Sequence, residues 1–254
     1  MKPYYEDSAV TIYLGDCRWI MPSLEKVDLV LTDPPYPSLR KWEGIGTTGR
    51  MGMGRKGTSA DDPSKLFETI RNEDIPPLLC EFHRLLKEGR HALVMSDDDT
   101  LPFLLQAVGQ WQVCKDGCQL WPDVKPNPRW SNWKLLIWDK ERIGMGYHFR
   151  SQHEYLMLLD KGKNRPPNSL GRGDVFRYPP DEKLVPTQKP LALFKEMIHQ
   201  LTQPGEIILD PFLGSGTALR AAMETGRRGI GIEKSERACE IAAKRMAQGM
   251  LGAL

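Results

Sequence analysis

The chain has 254 residues, 40% hydrophobic and 27% charged, with 35 lysines and arginines against 33 aspartates and glutamates. That length suits one large α/β domain or two small ones, with a single domain over 1–254 expected, and the composition is that of a globular chain rather than a disordered one. No apolar run reaches the roughly 18–20 residues of a membrane span, and the amino-terminal MKPYYEDSAV has no apolar signal core; a cytoplasmic protein without a membrane partner is expected.

The first predicted element is a buried strand over 27–31 (VDLVL), stopped by Asp33-Pro34-Pro35-Tyr36. A Gly-, Arg-, Ser- and Thr-rich loop follows over 37–63, with Arg40, Lys41, Arg50, Arg55 and Lys56 in it. Helical spacing of Leu78, Leu79, Phe82, Leu85 and Leu86 starts near Asp74 and ends near Gly89, and HALVMS over 91–96 reads as a strand. A helix is expected over 101–108. Cys114 and Cys118 lie beyond it without a second Cys or His pair at ligand spacing; with five scattered cysteines, the reading is reduced thiols and no metal. Strands over 133–138 and 154–159 are joined by a polar link, 139–153, that carries Arg142 and Arg150.

A second basic loop, 161–185, contains Lys163, Arg165 and Arg172. The formal net charge is only +2, but basic loops rich in Gly and Pro in a balanced chain raise the expectation of a polyanion partner over that of solvated loops. Pro190 sits where proline begins a helix, and Leu191, Phe194, Ile198 and Leu201 continue it. A strand over 206–209, a Gly-containing turn, a helix over 217–225 closed by Gly226, a strand over 229–233 and a last helix over 235–246 complete the chain. Strands alternating with helices imply an α/β fold with a mainly parallel sheet.

Asp210-Pro211-Phe212-Leu213-Gly214-Ser215-Gly216-Thr217 places glycines in a strand-to-helix turn, at the sheet edge where ligands of open α/β sheets bind. A tight turn alone would account for Gly214 and Gly216. Strand, turn, helix, strand and a terminal Glu233 in βαβ order favour a nucleoside, with the acid accepting from the ribose hydroxyls. The third glycine of a dinucleotide fingerprint and the lysine of a phosphate loop are both missing, so adenosine without a pyrophosphate fits, which points to S-adenosyl-L-methionine.

Asp33-Pro34-Pro35-Tyr36 suits methylation of an aromatic amine. Such a nitrogen is a poor nucleophile because its lone pair is delocalised into the ring. A carboxylate and the carbonyl of Pro34 accepting its two N–H bonds would pull it towards tetrahedral geometry. Two prolines stiffen the turn, and Tyr36 can stack on a base rotated out of the duplex. Transfer would then be direct, with orientation and electrostatics providing the catalysis. An ordinary Asp-Pro turn is the plainer reading of these four residues taken alone.

Together, Asp33-Pro34-Pro35-Tyr36, Pro186-Thr187-Gln188-Lys189-Pro190 and Asp210 to Thr217 resemble the signature motifs of amino-group (N6-adenine or N4-cytosine) DNA methyltransferases, in the β-group order with the catalytic motif first. Leu14-Gly15-Asp16 and the strands around Ile137-Trp138 and Glu154-Tyr155 also look like family blocks, so the resemblance covers nearly the whole chain. Val185 departs from the pattern, which often has His there. The resemblance implies a Rossmann-like, circularly permuted, seven-stranded methyltransferase fold and an adenine-specific enzyme of prophage or restriction-modification type. It places Asp16 and Cys17 beside the cofactor's adenine, Thr187 and Lys189 at its methionyl end, and Asp33, Asp210, Pro211, Phe212, Ser215, Glu233 and Lys234 around it.

Aspartate at position 33 favours adenine N6 in double-stranded DNA. N4-cytosine methylation and a non-catalytic DNA-binding module are the alternatives, and RNA or a side-chain amide remain as other acceptors. The basic loops are the expected DNA contacts, and family members of this order often pair as homodimers. His153 reads as structural rather than catalytic, and Trp130, Trp133 and Trp138 as core or partly buried rather than base-stacking.

Overall fold

The computed structural model describes residues 1–36, 69–109, 130–144, 149–163, 165–181 and 188–251. The loop cations Arg40, Lys41, Arg50, Arg55 and Lys56, the pair Cys114 and Cys118, and Thr187 therefore lie outside the described residues.

In chain order the elements are β1 (Tyr5–Glu6), β2 (Val10–Leu14), α1 (Cys17–Ile20), β3 (Val27–Thr32), α2 (Ile75–Leu85), β4 (Leu86–Ser96), α3 (Leu101–Gly109), β5 (Trp130–Asp139), β6 (His153–Lys161), β7 (Val175–Arg177), α4 (Leu191–Leu201), β8 (Ile207–Asp210), α5 (Thr217–Glu224), β9 (Arg228–Glu233) and α6 (Glu236–Leu251). Among the described residues they form one sheet, in the order β1-β2-β9-β8-β3-β4-β6-β5-β7. Strands β2, β9, β8, β3 and β4 run parallel, and β6 turns antiparallel against β4 and β5. Seven longer strands make the expected sheet, and the two- and three-residue strands β1 and β7 extend it to nine at the edges.

Strand β3 is buried at all six positions, as its apolar run requires for a central parallel strand. Its residues alternate between faces. Val30 packs on one side with Leu79, Phe82 and Leu85 of α2 and Leu104 of α3. Leu29 and Leu31 pack on the other with Phe194 and Ile198 of α4 and Ala221 and Ala222 of α5. Both faces are covered, so function is left to the edges.

Helix α2 ends at Leu85, four residues before Gly89, because Leu86 is already extended and β4 begins without a connecting loop. Helix α4 starts as expected, with Pro190 as its N-cap. At the glycine turn, Gly216 adopts φ +84 as the N-cap of α5, a left-handed conformation that costs other residues roughly 1–2 kcal/mol. A Cβ there would also meet Ala242 Cβ and Met246 Cε of α6 at 3.2 Å. Gly216→Ala is therefore expected to destabilise the fold by about 2 kcal/mol in a denaturant titration; an unchanged midpoint would contradict this packing.

Candidate active site at the carboxyl edge of the sheet

Strands β2, β9, β8, β3 and β4 all end at one edge, and the residues that follow them surround a cavity of about 930 Å³. Parallel strands bring Asp16, Glu233, Asp210, Asp33 and Asp97 there from distant parts of the sequence. Such an edge, where the connections leave a crevice, is where open α/β sheets take ligands.

In one half of the cavity Glu233 closes β9. Gly214 N–H donates to its Oε2 and Ser235 N–H to its Oε1, each at 2.8 Å. Burial pushes this carboxyl above its ordinary value, against the pull of those N–H groups. Each oxygen keeps accepting capacity for a further donor. Leu213 N–H bonds Ile232 O at 2.9 Å and ties the turn to β9. Asp210, also buried, accepts from Thr32 Oγ1 at 2.8 Å and from Phe212 N–H at 3.1 Å. Burial raises its carboxyl to about 7, with the Asp33 and Glu233 charges adding to the rise.

Asp16 caps α1 and is held by Arg18, whose Nη2 lies 2.6 Å from its Oδ2. Burial pushes that carboxyl up, but the Arg18 bonds win and it lies below its ordinary value. Cys17 is buried, and its thiol is pushed up to about 12 by burial and by Asp16, so it lines the cavity as a neutral group. Of the expected cofactor residues, Gly214, Ser215, Thr217, Pro211, Phe212 and Lys234 line the cavity with those above. Gly216 does not, because its Cα faces α6; its glycine is required by backbone conformation rather than by ligand approach.

In the other half Asp33, Pro34, Pro35 and Tyr36 leave the end of β3. The carbonyl of Pro35 is taken by Ile70 N–H at 2.8 Å, which pins the turn. Tyr36 is 5% exposed, and its buried hydroxyl has no partner among the described residues, an orphaned donor at the cavity wall.

Lys189, expected at the cofactor's methionyl end, lines the cavity, and its Nζ lies 2.7 Å from Asp33 Oδ2 and 3.2 Å from Glu154 Oε2, while Lys140 Nζ lies 2.9 Å from Glu154 Oε1. The four charges alternate in sign. Burial would lower the Lys189 ammonium, but its two carboxylates outweigh burial and raise it. Burial dominates at Asp33 and raises it despite Lys189. Glu154 lies below its ordinary value because Lys189 and Lys140 outweigh its burial.

Glu154 and Lys140 are among the cavity residues that the motifs do not mark. An acid and a base flanking a hairpin link, at the ends of two otherwise apolar strands, are the signal that marks them. His153 lines the cavity and its Nε2 lies 3.0 Å from Tyr155 Oη. Trp130 and Trp138 are buried in the core, whereas Trp133 is about half exposed.

The expected DNA contacts divide. Arg142 lines the cavity, and Arg150 stands exposed beside it. Lys163 and Arg165 lie at the opposite edge, because antiparallel β6 carries the chain back to the start of β4. There Arg165 N–H bonds Gly89 O at 3.2 Å and its guanidinium faces Glu206, just ahead of β8. Arg172 pairs with Glu196 of α4 and stacks 4.2 Å from the Phe176 ring centroid. These three do not face the cavity. Among the described residues no cluster of His, Cys, Asp and Glu is arranged to hold a metal, and no helix is long and apolar enough to cross a membrane.

Comparison with known proteins follows the same lines. Residues 27–244 match the model of the N6_N4_Mtase family, described as DNA methylase. The chain is 26% identical to the DNA adenine methyltransferase YhdJ of Escherichia coli K12, over 95% of this chain and 84% of that protein. It is 25% identical to the type II methyltransferase M.HinfI of Haemophilus influenzae, over 97% of this chain and 70% of that protein. Among solved structures, the M1.HpyAVI–SAM complex is similar at TM-score 0.62 and 20% identity, covering 93% of this chain and 99% of that one. The cytosine-N4-specific PvuII DNA methyltransferase is similar at TM-score 0.63 and 14% identity, covering 96% and 88%.

Proposed function

The chain belongs to the N6_N4_Mtase family of DNA methylases, and from that membership we propose that it transfers a methyl group from S-adenosyl-L-methionine to the exocyclic N6 of adenine in double-stranded DNA. The observation that carries this reading is Asp33, held at the cavity by Lys189 and followed by the two prolines and Tyr36. Adenine is favoured by the aspartate at that position, and by the adenine activity in the name of a relative aligned over nearly the whole chain.

The residues present fit the cofactor. Glu233, with one backbone N–H on each oxygen, has capacity left for two ribose hydroxyls. Asp16, Phe212 and Ser235 line the same half of the cavity. When bound, S-adenosyl-L-methionine supplies a methyl group on a positively charged sulfur. The chain's own groups orient the acceptor. Tyr36 offers its ring to a base rotated out of the duplex, at a cost of a few kcal/mol in unstacking. Asp33 as carboxylate accepts an N–H of the amine and draws its lone pair out of conjugation. An Asp33 oxygen would take the proton that the nitrogen sheds on gaining the methyl group, the pair of the broken sulfur–carbon bond remaining on the sulfur of the product, S-adenosyl-L-homocysteine. Lys189 opposes the burial that raises Asp33, and Glu154, braced by Lys140, fixes Lys189.

The DNA face of this reading includes Arg142 and Arg150 and leaves out Arg165. Arg142→Ala is expected to weaken DNA binding and to reduce its salt dependence by about one released counterion, while Arg165→Ala changes neither. Anisotropy titrations over a range of salt check this, and equal losses in the two variants would contradict it.

Digestion of treated, previously unmethylated genomic DNA to nucleosides, followed by mass spectrometry, tests the acceptor. N6-methyladenine is the expected product. N4-methylcytosine would keep the fold and the amine chemistry but overturn the assignment to adenine.

A further inference from the structure

The described parts of the link between β5 and β6, 140–144 and 149–152, form a braced neck at the cavity mouth. Lys140 N–H donates to Gln152 O at 2.9 Å, Gly144 N–H to Ser151 O at 2.8 Å, and Arg150 Nε to Gly144 O at 2.9 Å. Arg142, Gly144 and Ser151 of this neck line the cavity. On it stand two large apolar side chains, Ile143 at 61% exposure and Phe149 at 103%. Among the described residues nothing covers the Phe149 ring, whereas Phe82, Phe176 and Phe194 are buried in the core. An aromatic ring held in water on a braced support gains nothing from packing against the described residues and is free to meet a partner. Its neighbours Arg142 and Arg150 are exposed cations, which suits a polyanion and disfavours a second apolar protein surface.

Resting on the DNA reading above, we infer that Phe149 is a wedge: its ring enters the base stack and fills the space left when the target base rotates into the cavity, while Arg142 and Arg150 close on the flanking phosphates. Rotating a base out breaks its stacking on both neighbours. An apolar side chain inserted at that step replaces part of the lost contact and holds the duplex open. Placement at the rim suits this role, since the vacated step must lie beside the cavity that receives the base. Phe149 touches the neighbours of the reacting base rather than the base itself, so it is a positioning residue.

The test compares wild type and Phe149→Ala on two duplexes carrying the sequence in which the wild-type protein places its methyl group. In one the target base is paired; in the other it stands opposite an abasic site. Because the ring is fully exposed, the substitution leaves the fold intact, and unchanged affinity for S-adenosyl-L-methionine verifies that. Loss of the stacked ring is expected to slow transfer to the paired duplex roughly 10- to 100-fold. Transfer to the abasic-site duplex should return to within a few-fold of wild type, and Phe149→Trp should retain activity on both. With 2-aminopurine in place of the target base, the fluorescence rise on binding should be lost in Phe149→Ala and kept in wild type. An unchanged rate on the paired duplex would overturn the wedge, as would an equal loss on both duplexes, which marks a general DNA contact. No transfer by wild type to either duplex would instead overturn the methyltransferase reading itself, and the wedge with it.

Discussion

Asp33→Ala is expected to slow methyl transfer by about 10³-fold while leaving affinity for S-adenosyl-L-methionine within a few-fold of wild type. The carboxylate is the group assigned to pull the amine out of conjugation and to take its proton, and no other acid in the cavity combines the end of β3 with the Pro-Pro turn. Removing it leaves Lys189 paired with Glu154 at 3.2 Å, so the buried ammonium keeps a partner and the fold survives. Asp33→Asn keeps the shape and an accepting oxygen but cannot take the proton, and it should sit between the two. Single-turnover rates on a DNA substrate, together with cofactor titration, measure both quantities. Turnover within tenfold of wild type in Asp33→Ala would remove Asp33 from the chemistry. The same carboxyl sets a pH dependence. Burial holds it above its ordinary value, and the reaction needs it charged, so the rate should fall on acidification with a midpoint above that of an ordinary aspartate.

Asp210→Asn is expected to stabilise the protein, and to do so more in mild alkali than in acid. The folded chain holds this carboxyl at about 7 against an ordinary 3.8. A group raised on folding contributes stability that is complete below the unfolded value and is lost as pH rises through the folded value. At about pH 8 the wild type therefore carries a cost on the order of 4 kcal/mol from this residue, falling to about half of that near pH 5. Asparagine has no charge to bury, and its carbonyl oxygen can accept from Thr32 Oγ1 and Phe212 N–H as the carboxyl does. Thermal denaturation of the two proteins without ligand at both pH values tests this. A pH-independent difference would show that Asp210 is not the buried titrating group described here.

Much of this site is written locally. The run Val27–Thr32 and the prolines after it specify a central strand ending at the cavity. The turn before Thr217 and the acid ending β9 specify the ligand side of a βαβ unit. Strand β2 was not assigned from sequence because Val10–Leu14 is short, and its exposed positions dilute the apolar pattern. Helix α1 is a single turn with no periodicity to read.

The Asp33–Lys189–Glu154–Lys140 chain was not legible either, because its members come from three separated segments joined only by tertiary packing. Composition could not position Lys163, Arg165 and Arg172 relative to the cavity, for a related reason. It reports how much charge a loop carries, whereas the antiparallel turn of β6 decides which edge that loop reaches.

Incorporation of a tritium-labelled methyl group from S-adenosyl-L-methionine into unmethylated duplex DNA by the purified chain tests directly whether this cavity moves a methyl group to DNA. Acid-stable label on the DNA is expected with wild type and almost none with Asp33→Ala. No label on DNA from a protein that binds the cofactor would contradict that transfer.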